Sequence, residues 1–300
     1  MPDILSVLKF FKPLRLKQNL SDRFYLSLSD EAFKAQTENY VKNLTLPQKS
    51  GAGVDCAVFK KAIASAFSAI RKKSRTTELF DNERWLFENN YLFLSELAKD
   101  SFKDFFRLPH GGNEPRIVTL ARFVLKNSGY ELVEERVDYV LSAHNAETPL
   151  TYREICALPD AFSFVLLEKI AVLSQKCLLL EKFRLLSKSK SRVRKKALTS
   201  ALFRYFLGRE KGFDVPQKLK YLISAVSVDM TRSVSACVTS LHKVSRMNFV
   251  PSYKPLQILN SDADFKKMSA ATQAAYLEQI ALESDAVNVN EQVYTQKLIE

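Results

Sequence analysis

Glycine is scarce, at 7 residues in 300. Tight turns between strands need glycine for positive φ, and phosphate-cradling loops need it for close backbone approach. Gly51, Gly53, Gly111, Gly112, Gly129, Gly208 and Gly212 are the whole supply, and no G-x-G-x-x-G or P-loop can be written from them. Nucleotide-binding α/β enzymes built on those loops are excluded. Cysteine and histidine are also few: Cys56, Cys156, Cys177 and Cys237 lie far apart without a C-x-x-C, and the histidines are His110, His144 and His242. A zinc site needs ligands clustered at characteristic spacing. The cysteines therefore read as buried free thiols in a reducing compartment, and neither a metal nor any other cofactor is expected.

Long uncharged runs are missing as well. The most apolar stretch, Ala161 to Leu180, contains Glu168, Lys169 and Lys176, too much charge for an unaided bilayer span. Met1 to Leu16 is interrupted by Asp3, Lys9, Lys12 and Arg15, so it reads as amphipathic rather than as a signal peptide. No segment shows convincing period-two alternation, and no helical repeat of constant length argues for a solenoid. Hydrophobic residues at 46% and charged residues at 26% are those of an ordinary globular chain. These properties point to an all-α fold, an irregular multi-helix array or bundle with no sheet.

The helical signals are specific in places. Phe59, Ile63, Phe67 and Ile70 share one face of a helix opening at an Asp55 N-cap. Leu79, Leu86 and Phe93, with Trp85, Leu94 and Leu97, predict a second helix over about 77–98. Pro115 suits a first helical turn and opens a stripe of Ile117, Leu120, Ala121, Val124 and Leu125 that stops at Asn127-Ser128-Gly129. A helix follows over 131–143. Thr151 and Glu154 have capping-box spacing, and the helix they open runs to Leu186 with a kink or restart at Pro159. Further helices are expected at 193–207, 216–229, 231–246, 268–283 and 289–300. The chain divides into a basic amphipathic lead-in (1–50), a helical domain (51–186), a basic connector with helices (187–230) and a C-terminal helical segment (231–300).

Candidate chemistry is thin. Asp262-Ala263-Asp264 has the D-x-D spelling of metal-binding transferases, but it precedes a helix, where acidic residues complement the N-terminal dipole. Glu134-Glu135, Glu83 with Glu88, and Asp100 with Asp104 read as solvated helix faces, because no histidine converges with them. His110, beside two glycines, reads either as a mobile site residue or as a loop histidine without a role. Charge is more informative. Lys182 to Lys220 holds thirteen Lys/Arg against Glu210 and Asp214, a surplus close to the net charge of +12. Six of these bases, Lys188, Lys190, Arg192, Arg194, Lys195 and Lys196, fall within nine residues. They read either as a solvated, flexible connector or as candidates for contact with anionic lipid or an acidic partner. Nucleic acid is not expected, since no recognised binding motif or aromatic-basic platform accompanies them.

Several segments, in order, resemble the N-terminal region of cyclic β-1,2-glucan synthases. Asn82-Glu83-Arg84-Trp85-Leu86-Phe87-Glu88-Asn89-Asn90-Tyr91 resembles that family's E-W-L-L-D-N-Y-Y helix. Pro115-Arg116-Ile117-Val118-Thr119-Leu120-Ala121-Arg122 resembles Y-P-R-I-Y-x-L-A, and Leu150-Thr151-Tyr152-Arg153-Glu154-Ile155-Cys156-Ala157-Leu158-Pro159 resembles L-T-I-G-E-L-W-A-L-P, with Leu166-Leu167-Glu168 fitting the following run. Val238-Thr239-Ser240-Leu241 is similar to I-T-S-L-R, and Met268, Thr272 and Tyr276 to M-D-F-A-T-R-x-x-Y-R. The chain departs from the family at Cys156, Ala236, His242 and Asn248-Phe249. The resemblance implies a non-catalytic, helical part of a large membrane enzyme that makes β-1,2-glucan from UDP-glucose. Its partner would be the catalytic glycosyltransferase part of the same or a neighbouring polypeptide, at the cytoplasmic face of the membrane. No catalytic residue carries over. Trp85, Arg116, Arg122, Thr151, Glu154 and Thr239 are structural or interface candidates, and Glu154→Ala is expected to cost about 1 kcal/mol through loss of the cap. The alternative is a free-standing basic helical adaptor for an anionic surface.

Overall fold

The computed structural model describes residues 27–44, 56–187 and 219–300. Within them the protein is all-α, an array of helices with no strand, and only two isolated bridges, Ser27 with Ser128 and His110 with Pro115, have β geometry. The helices are α1 (Asp30–Lys42), α2 (Ala57–Ser74), α3 (Asp81–Glu88), α4 (Asn90–Leu97), α5 (Arg116–Asn127), α6 (Glu134–Glu147), α7 (Tyr152–Ser187), α8 (Leu219–Val244), α9 (Lys254–Leu259), α10 (Ala263–Lys267), α11 (Ala270–Ala286) and α12 (Glu291–Ile299). A 3-10 segment, Asp100–Arg107, joins α4 to the loop before α5.

Helix α7 is the axis of the fold. α8, α5 and α2 pack along it, and from Ala161 to Leu180 nearly every residue is buried. A helix enclosed on all sides shows no amphipathic stripe, only apolar density. This is the stretch read above as apolar but too charged to span a bilayer, and among the described residues no helix is long and apolar enough to cross a membrane. α7 runs unbroken through Pro159, which cannot donate to the carbonyl four residues back, so no new element begins there. The connected core extends from Phe33 in α1 to Ile280 in α11. It spans the sequence boundaries at 186/187 and 230/231, and α8 itself crosses the second of these without a break.

Local chemistry accounts for the other differences. The helix expected over 77–98 is two. Asn89 sits between them, and its side-chain amide donates to the Trp85 carbonyl (2.9 Å), closing α3 with an off-helix backbone. α3 begins only at Asp81, where the Glu83 carboxylate accepts from the Phe80 N–H (2.9 Å). Asp55 lies outside the described residues and Cys56 stands at the α2 cap. The helices expected over 216–229 and 231–246 are the single α8, and the one expected over 193–207 lies outside the described residues. α9 and α10, six and five residues long, are too short to show a periodic pattern. The stop after α5 uses Gly129 at φ +64°, followed by Tyr130, also at φ +64°.

Candidate functional site

Among the described residues, one group of buried ionic side chains lies where the start of α5 meets the start of α7. Thr151 and Glu154 form a reciprocal cap: the Thr151 N–H donates to Glu154 Oε2 (2.9 Å), and the Glu154 N–H donates to Thr151 Oγ1 (3.3 Å). The same carboxylate takes Arg116 through a fork, Nε to Oε1 and Nη2 to Oε2, both at 2.6 Å, while Nη2 also reaches the Pro149 carbonyl (2.8 Å). Glu154 is fully buried and the Arg116 side chain is 8% exposed. Two turns further along α5, Arg122 pairs with Glu114 (3.0 Å) and with Glu168 on α7. A second network ties α2, α3 and α7: Lys73 bridges Glu83 and Glu181, each at 2.9 Å, and Arg184 lies 3.4 Å from Glu181. Lys73 and Arg184 also lie over the Phe80 ring, at 4.5 and 3.3 Å from its centroid.

Arg116 also borders a cavity of about 70 Å³, with Tyr40 of α1, Thr119 of α5 and His144 of α6 on its other walls. His144 is fully buried, with neither ring nitrogen in good hydrogen-bond geometry, although the Thr148 backbone lies close enough to favour the charged ring weakly; Arg116 Nη1 is likewise unmatched. Each buried polar atom left in this condition costs about 1–3 kcal/mol. Burial first, then the positive charge of Arg116, pushes the His144 pKa down to about 4, so the ring is neutral at pH 7. Burial likewise raises the Tyr40 phenol above its ordinary value, with Arg116 opposing and Glu114 adding.

The remaining sequence candidates are dispersed. Trp85 is half-buried against the core. Thr239 is exposed on α8; its neighbour Ser240 is the buried residue, accepting from the Leu132 N–H (2.8 Å) and donating to the Tyr130 carbonyl (3.0 Å). Trp85, Arg116 and Glu154 do not line one cavity. Lys188, Lys190, Arg192, Arg194, Lys195 and Lys196 lie outside the described residues.

Three readings from sequence need correction. Glu83 is not on a solvated face: it is 2% exposed and paired with Lys73. His110 does lie in the loop before α5, but it is fully buried, with Nδ1 2.7 Å from the Leu108 carbonyl, and so is not a mobile site residue. The cysteines are not all buried, since Cys156 is exposed and Cys56 partly so.

Two larger clefts, of about 300 and 330 Å³, lie beside the α12 start and between α2 and α7. The second brings Cys177 beside Lys73, Glu83 and Glu181. Burial pushes the Cys177 and Cys237 thiols up to about 12, far from the thiolate that chemistry requires. Asp262 accepts from the Asp264 N–H (2.8 Å) as the α10 cap, and Asp264 pairs with Lys267 (3.1 Å). Among the described residues no three His, Cys, Asp or Glu side chains converge as a metal site would need. Comparison with models of known protein families finds no match, and a search of curated proteins finds none either.

Proposed function

We propose that the chain is a non-catalytic helical scaffold, an accessory region that packs on or organises the catalytic part of a cyclic β-1,2-glucan synthase-like glycosyltransferase at the cytoplasmic membrane face. One observation carries this reading. The segments that resemble the family meet in space and use their charged residues on each other: Arg116 takes Glu154, and Arg122 takes Glu168. A motif whose acids and bases close on one another serves the packing of α5 against α7. It leaves no carboxylate of the pair facing a substrate. The buried thiols, held far from ionisation, support the same conclusion.

The test has two arms. The purified chain is mixed with UDP-glucose and Mg²⁺ or Mn²⁺, and neither turnover nor saturable micromolar binding is expected. It is then mixed with the detergent-solubilised transferase part of a cyclic β-1,2-glucan synthase, with co-elution on gel filtration expected. Glucosyl transfer by the chain alone, or separate elution at micromolar concentrations of both partners, overturns the proposal.

A further inference from the structure

Helix α2 carries no acid along its 18 residues. Its inner side, with Phe59, Ile63 and Ile70, is buried in the core. Lys60, Lys61, Arg71 and Lys72, with Arg75 at the C-cap, are exposed, and at about 100° per residue they fall on one half of the helix circumference. Between them on that side stand only small residues, Ala64, Ser65 and Ser68. Lys73, turned inward, takes Glu83 and Glu181, whereas the five outward bases have no carboxylate partner among the described residues. The next acid along the chain, Glu78, lies beside Arg84 instead (3.7 Å). Helix chemistry alone does not account for this face. Arg71, Lys72 and Arg75 complement the negative end of the helix dipole, but Lys60 and Lys61 lie toward the positive end, where acids are favoured. Arg71 and Arg75 are also spaced i, i+4, a like-charge pair that weakens a helix.

We propose that the outward face of α2 is the surface by which the chain lies on an anionic lipid leaflet. The face runs about 22 Å from Lys60 to Arg75, which lets all five long side chains reach one plane. An extended anionic plane meets such a row of charges, while a pocket would meet one or two of them. Because the apolar side of α2 is committed to the core, the contact is adsorption to headgroups and not insertion. Protein partners are held chiefly by a buried aromatic or aliphatic anchor, and single-stranded nucleic acid by an aromatic stacking platform. The stretch between the bases offers neither. The choice of lipid rests on the membrane-face placement in the scaffold reading, and the surface is separate from the bases at 188–196.

In the test, the whole chain is sedimented with vesicles of phosphatidylcholine alone and with vesicles containing about one-third phosphatidylglycerol, at low and at high salt. Binding should be confined to the anionic vesicles and should fall steeply with salt. Each base near an acidic leaflet is worth up to about fivefold in partition. With half of that free energy realised, Lys60→Gln/Lys61→Gln/Arg71→Gln/Lys72→Gln should bind about thirtyfold more weakly. A control, Lys42→Gln/Arg246→Gln/Lys266→Gln/Lys297→Gln, removes the same charge from exposed sites on α1, after α8, on α10 and on α12, and should lose far less. Circular dichroism checks that both variants keep the parent's helix content. Equal loss in the two variants, undiminished binding by the α2 variant, or no binding by the parent would overturn the proposal. So would displacement of the parent from anionic vesicles by duplex DNA at equal phosphate concentration, which would assign the face to nucleic acid. The scaffold reading stands or falls separately, on the gel-filtration assay, which contains no vesicles.

Discussion

Truncating Glu154 should be far more damaging than the loss of a helix cap. Cap loss alone is worth about 1 kcal/mol. The Glu154 carboxylate, however, accepts two 2.6 Å bonds from Arg116, one 2.9 Å bond from the Thr151 N–H and one 2.9 Å bond from the Thr151 hydroxyl. In Glu154→Ala the guanidinium stays buried with only the Pro149 carbonyl to meet it. Breaking one side of a buried ion pair costs about 3–5 kcal/mol, so the expected total is about 4–6 kcal/mol. Thr151→Ala isolates the cap at about 1 kcal/mol and leaves the fork intact. The double variant Arg116→Met/Glu154→Met removes the stranded charge and should recover most of the loss, because apolar pairs of similar volume often replace buried ion pairs without penalty. Urea unfolding followed by circular dichroism, on all three variants and the parent, measures each step. The reasoning fails if Glu154→Ala loses no more than Thr151→Ala, or if the double variant is as unstable as Glu154→Ala.

Acid should unfold the protein partly through His144. With a folded value of about 4 against an ordinary 6.5, stability is intact above pH 6.5, falls as the unfolded chain takes up the proton, and levels off below about 4. That shift corresponds to about 3 kcal/mol lost over the window, so urea midpoints of His144→Gln should decline less than those of the parent between pH 7 and 4; parallel curves would refute it. For the basic segment, whose six bases could each add up to about 1 kcal/mol near an acidic leaflet, co-sedimentation with anionic vesicles should be strong at low salt and weak at high salt. Arg194→Gln/Lys195→Gln/Lys196→Gln should bind less, and equal binding by both proteins would remove the membrane contact.

Local signals carried the fold class and most helix positions. α5 was readable from Pro115, its apolar stripe and the Asn127-Ser128-Gly129 stop, because all three act within a turn of the residues they control. The start of α7 was readable from Thr151 and Glu154 for the same reason. What escaped depends on contacts distant in sequence. Glu83 resembles any exposed acid on a helix until Lys73 of α2 and Arg184 of α7 close on it. Its place three residues after Phe80, at a first-turn position that favours acids, was the available signal. Ser240 differs from Thr239 only in facing the loop at Tyr130 and Leu132. His144 gave no signal at all. It stands in the last turn of α6 among other polar residues, Asn145 and Glu147, and only the approach of Tyr40 and Arg116 makes it unusual.

Those distant contacts also answer a question that hydrophobicity leaves open. Apart from its buried Glu168, Lys169 and Lys176, α7 is apolar around its circumference, and apolar surface alone has many packings of similar area, since burial is not directional. Sliding α5 along it by one turn moves the contact by about 5.4 Å and would exchange one leucine neighbour for another at small cost. The same slide would carry Arg116 out of reach of Glu154 and Arg122 out of reach of Glu168, leaving Arg116, Glu154 and Glu168 without ionic partners and Arg122 with Glu114 alone. Each unpaired ion costs several kcal/mol in the interior. Two ion pairs set on one helix pair therefore select a single register from a set that apolar contact would leave nearly degenerate. Arg116 with Glu154 and Arg122 with Glu168 make this selection, and a scaffold of the kind proposed above would need it more than additional stability.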